Sequence, residues 1–269
     1  MVCEQVMQIL DALSPKKYAC EWDNVGLLVG RPQKEVKRIM VALDATKEVV
    51  EEAVANGIDM LITHHPMIFS AMKQVSEGQF TQEKVLTLAE HGICYYAMHT
   101  NFDAVGGMAD LAAGEQYLNL TDVSPIEPCN EICEQEGVGM GRYGKLPKPM
   151  KASEVAEYVK QKFHLPFVML YQDKKQAEKV YERIAVMPGS GKSVMKQVLG
   201  NGYDLLLTGD YGHHEGIDAM DMGLTVIDAT HYGLEYIFID FVCAYLQEQC
   251  KEEDVVVSKS QTGAPVTVL

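Results

Sequence analysis

Leu61-Ile62-Thr63-His64-His65-Pro66 decides how this chain is read. The apolar run Met60-Leu61-Ile62 leads into two adjacent histidines, and Pro66 stops the strand from continuing. The pattern predicts a buried strand whose C-terminal end delivers two imidazoles. In open α/β sheets that edge is where ligands bind. Neighbouring residues of an extended chain point to opposite faces, so His64 and His65 can serve one site only if the backbone turns there, as Pro66 favours.

Working outward, Ile39-Met40-Val41-Ala42-Leu43 reads as an apolar strand and residues 47–55 as a helix, closed by the C-cap signal Asn56-Gly57. After His65 come a polar loop to about Gln79, a helix over 81–90, and a strand over 93–98 that delivers His99-Thr100-Asn101-Phe102-Asp103. Upstream, residues 2–13 have helical spacing and stop at Ser14-Pro15. The segment from Glu21 to Gly30 holds the only tryptophan and reads as turn residues followed by a short strand. Alternating strands and helices predict βαβ units and a largely parallel sheet. Residues 121–150 change character, with four prolines and several glycines, and are expected to be the inter-domain passage.

The second half repeats the first. Asn201-Gly202-Tyr203-Asp204-Leu205-Leu206-Leu207-Thr208 lines up with Asn56-Gly57-Ile58-Asp59-Met60-Leu61-Ile62-Thr63. Gly223-Leu224-Thr225-Val226-Ile227 matches Gly92-Ile93-Cys94-Tyr95-Tyr96 and, after one inserted residue, His231-Tyr232-Gly233-Leu234-Glu235 lies against His99-Thr100-Asn101-Phe102-Asp103. The expectation is an α/β protein of two similar three-layer α/β/α domains, residues 1–124 and 125–269, with residues from about 251 able to rejoin the first. The polar strand ends are expected to face a shared crevice holding a metal site.

Composition narrows the function. A formal net charge of -15 repels phosphate backbones, which disfavours nucleic-acid binding. Bound metal ions would create a locally positive pocket. No apolar run of about 18 residues predicts a membrane span, and Met1-Val2-Cys3-Glu4-Gln5 lacks a signal-peptide pattern. Seven scattered cysteines point to reduced thiols in a cytoplasm.

The strand-end groups His64, His65, His99, Asp103, His231 and Glu235 are all nitrogen or oxygen donors. His-x3-Asp and His-x3-Glu place imidazole and carboxylate on one helical face. Such donors suit zinc, iron, manganese, cobalt or nickel, whereas calcium wants oxygen alone. They exceed what one open catalytic ion needs and match two divalent ions about 3.5 to 4 Å apart, a pair that lowers the pKa of water and favours hydrolysis. A lone strand-end histidine is ordinarily a hydrogen-bonded structural residue; the histidine pair before a proline, and the repeat, argue for metal binding. His99 matches His231 in position, yet it can equally orient a ligand from outside the coordination sphere.

His213-His214-Glu215 follows Thr208-Gly209-Asp210, where the repeat places His64-His65-Pro66. It reads either as a polar helix start with Asp210 near the N-cap or, for His214, as an acid/base or phosphate contact facing substrate. Gly189-Ser190-Gly191-Lys192-Ser193 lacks the first glycine of a Walker loop, which is Val186 here. A tight turn is the better reading. Cys129-x3-Cys133 has no second pair and reads as thiols.

Together these motifs resemble the dinuclear-metal proteins known as GTP cyclohydrolase 1 type 2 homologs. The matching stretches are Trp22-Asp23-Asn24-Val25-Gly26-Leu27, Thr63-His64-His65-Pro66, His99 to Asp103, Gly141-Arg142-Tyr143-Gly144, Gly189-Ser190-Gly191, Thr208-Gly209-Asp210 and His231 to Glu235. The resemblance implies metal ligands at His64, His65, Asp103, His231 and Glu235, with Glu235 bridging. It further implies two α/β domains and a ring-shaped homohexamer, in a short form without the inserted middle domain of longer members. The reaction expected is hydrolysis of the cyclohydrolase or amidohydrolase kind on a nucleotide-like substrate, with His214 or His99 moving protons. A non-enzymatic metal-dependent regulatory or assembly protein, and a phosphodiesterase, are the alternatives.

Overall fold

The computed structural model describes residues 1–268. The chain divides into two compact units: Met1–Phe102 with Ile237–Gly263, and Asp103–Tyr236 with the C-terminal residues from Ala264. Its strands are β1 (Gly26–Val29), β2 (Arg38–Ala42), β3 (Met60–Thr63), β4 (Cys94–Ala97), β5 (Thr121–Glu127), β6 (Met140–Lys151), β7 (Met169–Tyr171), β8 (Val180–Ser190), β9 (Leu205–Gly209), β10 (Thr225–Asp228) and β11 (Val256–Lys259).

In the first unit the sheet order is β1-β4-β3-β2-β11, parallel throughout except for the antiparallel edge strand β1. The helix Lys47–Ala55 starts where the Thr46 hydroxyl accepts the Val49 amide at 3.2 Å, one of the donors a helix start leaves open. It ends at Asn56-Gly57, with Gly57 at φ +60°. β3 is buried along its whole length, as its uninterrupted apolar run requires for a strand covered on both faces. Met40, Leu61 and Tyr95 pack with Val49, Val50, Ala53 and Leu88. Met60, one residue before Leu61 and so on the opposite face, meets Cys3 of the helix Cys3–Leu13, sulfur to sulfur at 3.9 Å. Helices thus cover both faces, giving three layers.

The second unit has the order β5-β6-β8-β9-β10-β7. Only β8, β9 and β10 run parallel; β5, β6 and β7 are antiparallel to their neighbours. The largely parallel expectation therefore holds for the first sheet and fails for the second.

Two further expectations are corrected. The break falls at residues 102–103, not 124–125, and the return to the first unit begins at Ile237, well before residue 251. The reason is pairing: β11 adds to β2 in parallel, and the helix Ile237–Gln249 packs against both strands. Residues 121–150 are not a passage. They form β5, the helix Glu131–Glu136 and β6. Their prolines sit where no ladder donor is lost: Pro125 is on an edge strand, Pro128 lies just past its end, and Pro147 and Pro149 lie inside a register shift between Lys145 and Met150. Buried Arg142 braces this region, clamping Asp110 through Nε and Nη2, each at 2.6 Å.

The repeat survives at ladder resolution. Met60 pairs with Cys94 and Thr63 with Ala97; the aligned residues Leu205 and Thr225, and Thr208 and Asp228, are partners in the other sheet. Each unit thus places a parallel strand pair in the same register before its polar motif. Among the described residues, no helix is long and apolar enough to cross a membrane.

Candidate metal centre

At the end of β3 the amides of His64 and His65 both donate to the Leu43 carbonyl, at 3.2 and 3.1 Å. Two successive amides converging on one acceptor cannot occur in an extended strand, where they point to opposite edges, so this is the required turn. Buried Tyr95 pins it. Its hydroxyl donates to the His65 carbonyl at 2.9 Å, accepts the Met67 amide at 2.8 Å and lies 2.8 Å from the Thr63 hydroxyl. Burial pushes the Tyr95 phenol up to about 12, so it stays a neutral donor.

The turn brings the His64 and His65 rings to a centroid separation of 4.8 Å, and His99 joins them at 5.2 and 5.6 Å. One ligand-capable atom from each lies within 4.8 Å of the others. All three rings are held the same way. His64 Nδ1 is 2.7 Å from the Met98 carbonyl oxygen, His65 Nδ1 is 2.8 Å from Asp44 Oδ1, and His99 Nδ1 is 2.9 Å from Asp23 Oδ1. A carbonyl only accepts, so His64 Nδ1 carries the proton and the lone pair of the neutral ring is on Nε2. The carboxylates impose the same tautomer on His65 and His99. Fixing Nδ1–H on an oxygen while Nε2 ligates is how metal-binding histidines are oriented and made more basic. The donor set fits a borderline divalent ion.

Asp23 is itself built in. Its side chain is fully buried, and it accepts from the Thr100 amide at 3.0 Å and from the Thr100 hydroxyl at 2.5 Å. Thr100 Oγ1 in turn accepts the Cys20 amide at 2.9 Å, which ties the loop to the start of the helix Thr100–Ala104. Burial opposes ionisation of Asp23, but His99 and Thr100 outweigh it and hold the carboxyl below its ordinary range. Asp103 lies half-buried on that helix, four residues after His99.

In the second unit, His231 opens the helix His231–Glu235, which is capped by Thr230 Oγ1 accepting the Gly233 amide at 3.1 Å. The i,i+4 spacing sets His231 Nε2 2.9 Å from Glu235 Oε2, and Nδ1 2.8 Å from Asp210 Oδ2. Glu235 is only 3% exposed. The end of β8 supplies the room: Gly189 and Ser190 close the strand after a register shift that begins at Val186, and Gly191 follows. A Cβ on Gly189, whose φ is +72°, would meet Glu235 Oε1 at 2.7 Å, and one on Gly191 would meet Thr208 Oγ1 at 2.6 Å. Gly189 thus serves close packing against the carboxylate and Gly191 against Thr208, and the tight turn expected here is instead the irregular end of a strand.

His213 and His214 are exposed on the first turn of the helix His213–Asp221, their rings 5.3 Å apart; the N-cap position is Gly212, not Asp210. Asp210 instead holds His231. The sequence places Asp23 and Asp210 in motifs but assigns none of Asp23, Asp44 and Asp210 the orienting role they have on the histidines. Asp44 and Asp210 carried one available signal, an aspartate closely following an apolar strand one βα step before the histidine it serves.

Comparison with known proteins agrees with this architecture. The chain is 32% identical to a Streptococcus pneumoniae protein named GTP cyclohydrolase 1 type 2 homolog over 270 aligned residues, covering 98% of both chains. A Bacillus subtilis protein of the same name is 26% identical in an alignment of 371 residues that covers 99% of this chain and 98% of that one, so the relative is the longer by an insertion. The crystal structure of Staphylococcus aureus hypothetical protein SA1388 superposes with a TM-score of 0.85 at 27% identity, covering 100% of this chain and 99% of that one. The profile of Duf34/NIF3 (NGG1p interacting factor 3) matches residues 1–264, and the chain belongs to that family.

Proposed function

We propose that this protein is a metal-dependent hydrolase of the cyclohydrolase or amidohydrolase kind acting on a nucleotide-like substrate. His64, His65, Asp103, His231 and Glu235 would hold two divalent ions of the zinc, iron, manganese, cobalt or nickel group. The observation that carries this reading is the cluster of three imidazoles, each with Nδ1 on an oxygen acceptor. The His231–Glu235 pair would supply the carboxylate character that a dinuclear centre needs. Ions bound there supply Lewis acidity and water of lowered pKa.

The chain's own residues do the rest. Asp23 keeps His99 in one tautomer, so that His99 either completes the coordination or moves a proton. Exposed His214 is a second proton carrier, a role worth about 100- to 10,000-fold in rate. The name of the Streptococcus relative supports a nucleotide-like substrate. A cytoplasmic ring-shaped homohexamer belongs to the same proposal, with sedimentation as its check.

The test is metal quantification followed by a turnover screen with GTP and related nucleotides. His65→Ala is expected to lose metal and turnover together. Wild-type turnover by metal-free His65→Ala protein would refute the reading. Stoichiometric, metal-dependent nucleotide binding without product would replace it with a regulatory role.

A further inference from the structure

Trp22 and Phe69 are 60% and 58% exposed. A single exposed apolar residue is ordinary, but these two touch. Their ring centroids are 5.7 Å apart at a tilt of 44°, and both rings stand edge-on to His99, at 6.0 and 6.5 Å. Their placement is enforced. Asn24 Nδ2 donates to the Ile68 carbonyl at 2.7 Å, locking the Trp22 loop to the Phe69 loop. Asp23, between Trp22 and Asn24, fixes His99. One tripeptide therefore orients an imidazole of the cluster, holds a neighbouring loop and leaves an indole largely exposed.

We infer that Trp22 and Phe69 form a stacking platform for a planar heteroaromatic ring of the purine type, seated beside the His64–His65–His99 cluster. The inference rests on the nucleotide-like substrate proposed above and adds which residues grip its base. The rings already touch at 5.7 Å and are tilted by 44°, so the base stacks on one ring with the other at its edge, and not between the two. Stacking needs no positive charge, which suits a chain of net charge -15. Two rings match the size of one base better than the roughly 800 Å² per partner of a stable protein interface.

Trp22 is the only tryptophan, so tryptophan emission, excited selectively over the tyrosines, reports on this platform alone. The full-length, metal-loaded protein is titrated with guanosine and with GTP, and binding is measured independently by equilibrium dialysis. Both ligands are expected to change Trp22 emission saturably. Phe69→Ala and, by dialysis, Trp22→Ala should weaken both by about 5- to 150-fold at unchanged metal content, whereas Phe69→Tyr keeps the affinity. GTP bound in dialysis with Trp22 emission unmoved and Phe69→Ala without effect would overturn the platform while leaving the hydrolase reading standing. No nucleoside or nucleotide bound at all would overturn both. Emission that follows dissociation of an assembly on dilution, and not added nucleoside, would make the pair a subunit contact and overturn the platform.

Discussion

Replacing Gly189 by alanine isolates what the irregular end of β8 does for the buried carboxylate. The added methyl would stand 2.7 Å from Glu235 Oε1 and 3.6 Å from His231 Nε2. The first distance is about 0.7 Å inside the 3.4 Å at which ordinary contact begins. The φ of +72° costs any L side chain about 1–2 kcal/mol, and the overpacking adds about 1–3 kcal/mol. Gly223→Ala is the control, since Gly223 has a φ of +84° but nothing within 4 Å of its Cβ. Gly223→Ala should therefore lose only the conformational part, and Gly189→Ala about 2–5 kcal/mol in denaturant unfolding. Because relief comes by moving Glu235 away from His231, Gly189→Ala should also weaken divalent-metal binding, by about 10- to 100-fold in chelator competition. Equal losses of stability for the two variants, with metal affinity untouched in both, would refute the argument that this strand end is shaped to admit Glu235.

Asp23→Asn removes the charge that holds His99 Nδ1–H while keeping its size; metal affinity in chelator competition should fall about 10- to 100-fold, with Trp22 emission showing the loop still folded. Asp59 is a carboxylate at the opposite end of β3 from His64 and His65, and its partners are Lys34, Lys37 and Arg38. Burial opposes its ionisation, but Lys34 and the amides of Lys37 and Arg38 outweigh that and lower its pKa on folding. Its contribution is thus complete above the unfolded value of about 3.9 and is lost as pH falls through the lower folded value. Asp59→Asn should be less stable than wild type at pH 7 and converge with it in the most acid unfolding curves; a gap that persists there would contradict the assignment.

Much of this architecture could be read from residues alone because the signals are local. The run Met60-Leu61-Ile62, the Asn56-Gly57 cap and the i,i+4 spacing of His231 and Glu235 each act over a few residues, and each appears where local physics puts it. The repeat carried further, since its aligned residues prove to be ladder partners in both sheets. The prolines of residues 121–150 misled because a proline's cost depends on whether its missing N–H faces a partner strand, and edge position and register shift are properties of the sheet.

The opening hexapeptide shows where the division lies. Sequence alone determined that a buried strand ends in two imidazoles, that a counterpart strand stands in the second half, and that the donors are nitrogen and oxygen. Only the tertiary structure decided that both histidine amides turn onto the Leu43 carbonyl, that His99 joins the pair, and that Met98, Asp44 and Asp23 set the three tautomers. Those partners lie 34, 21 and 76 residues away along the chain. A hydrogen bond needs atoms within about 3 Å, and at such separations only the completed sheet can bring them together.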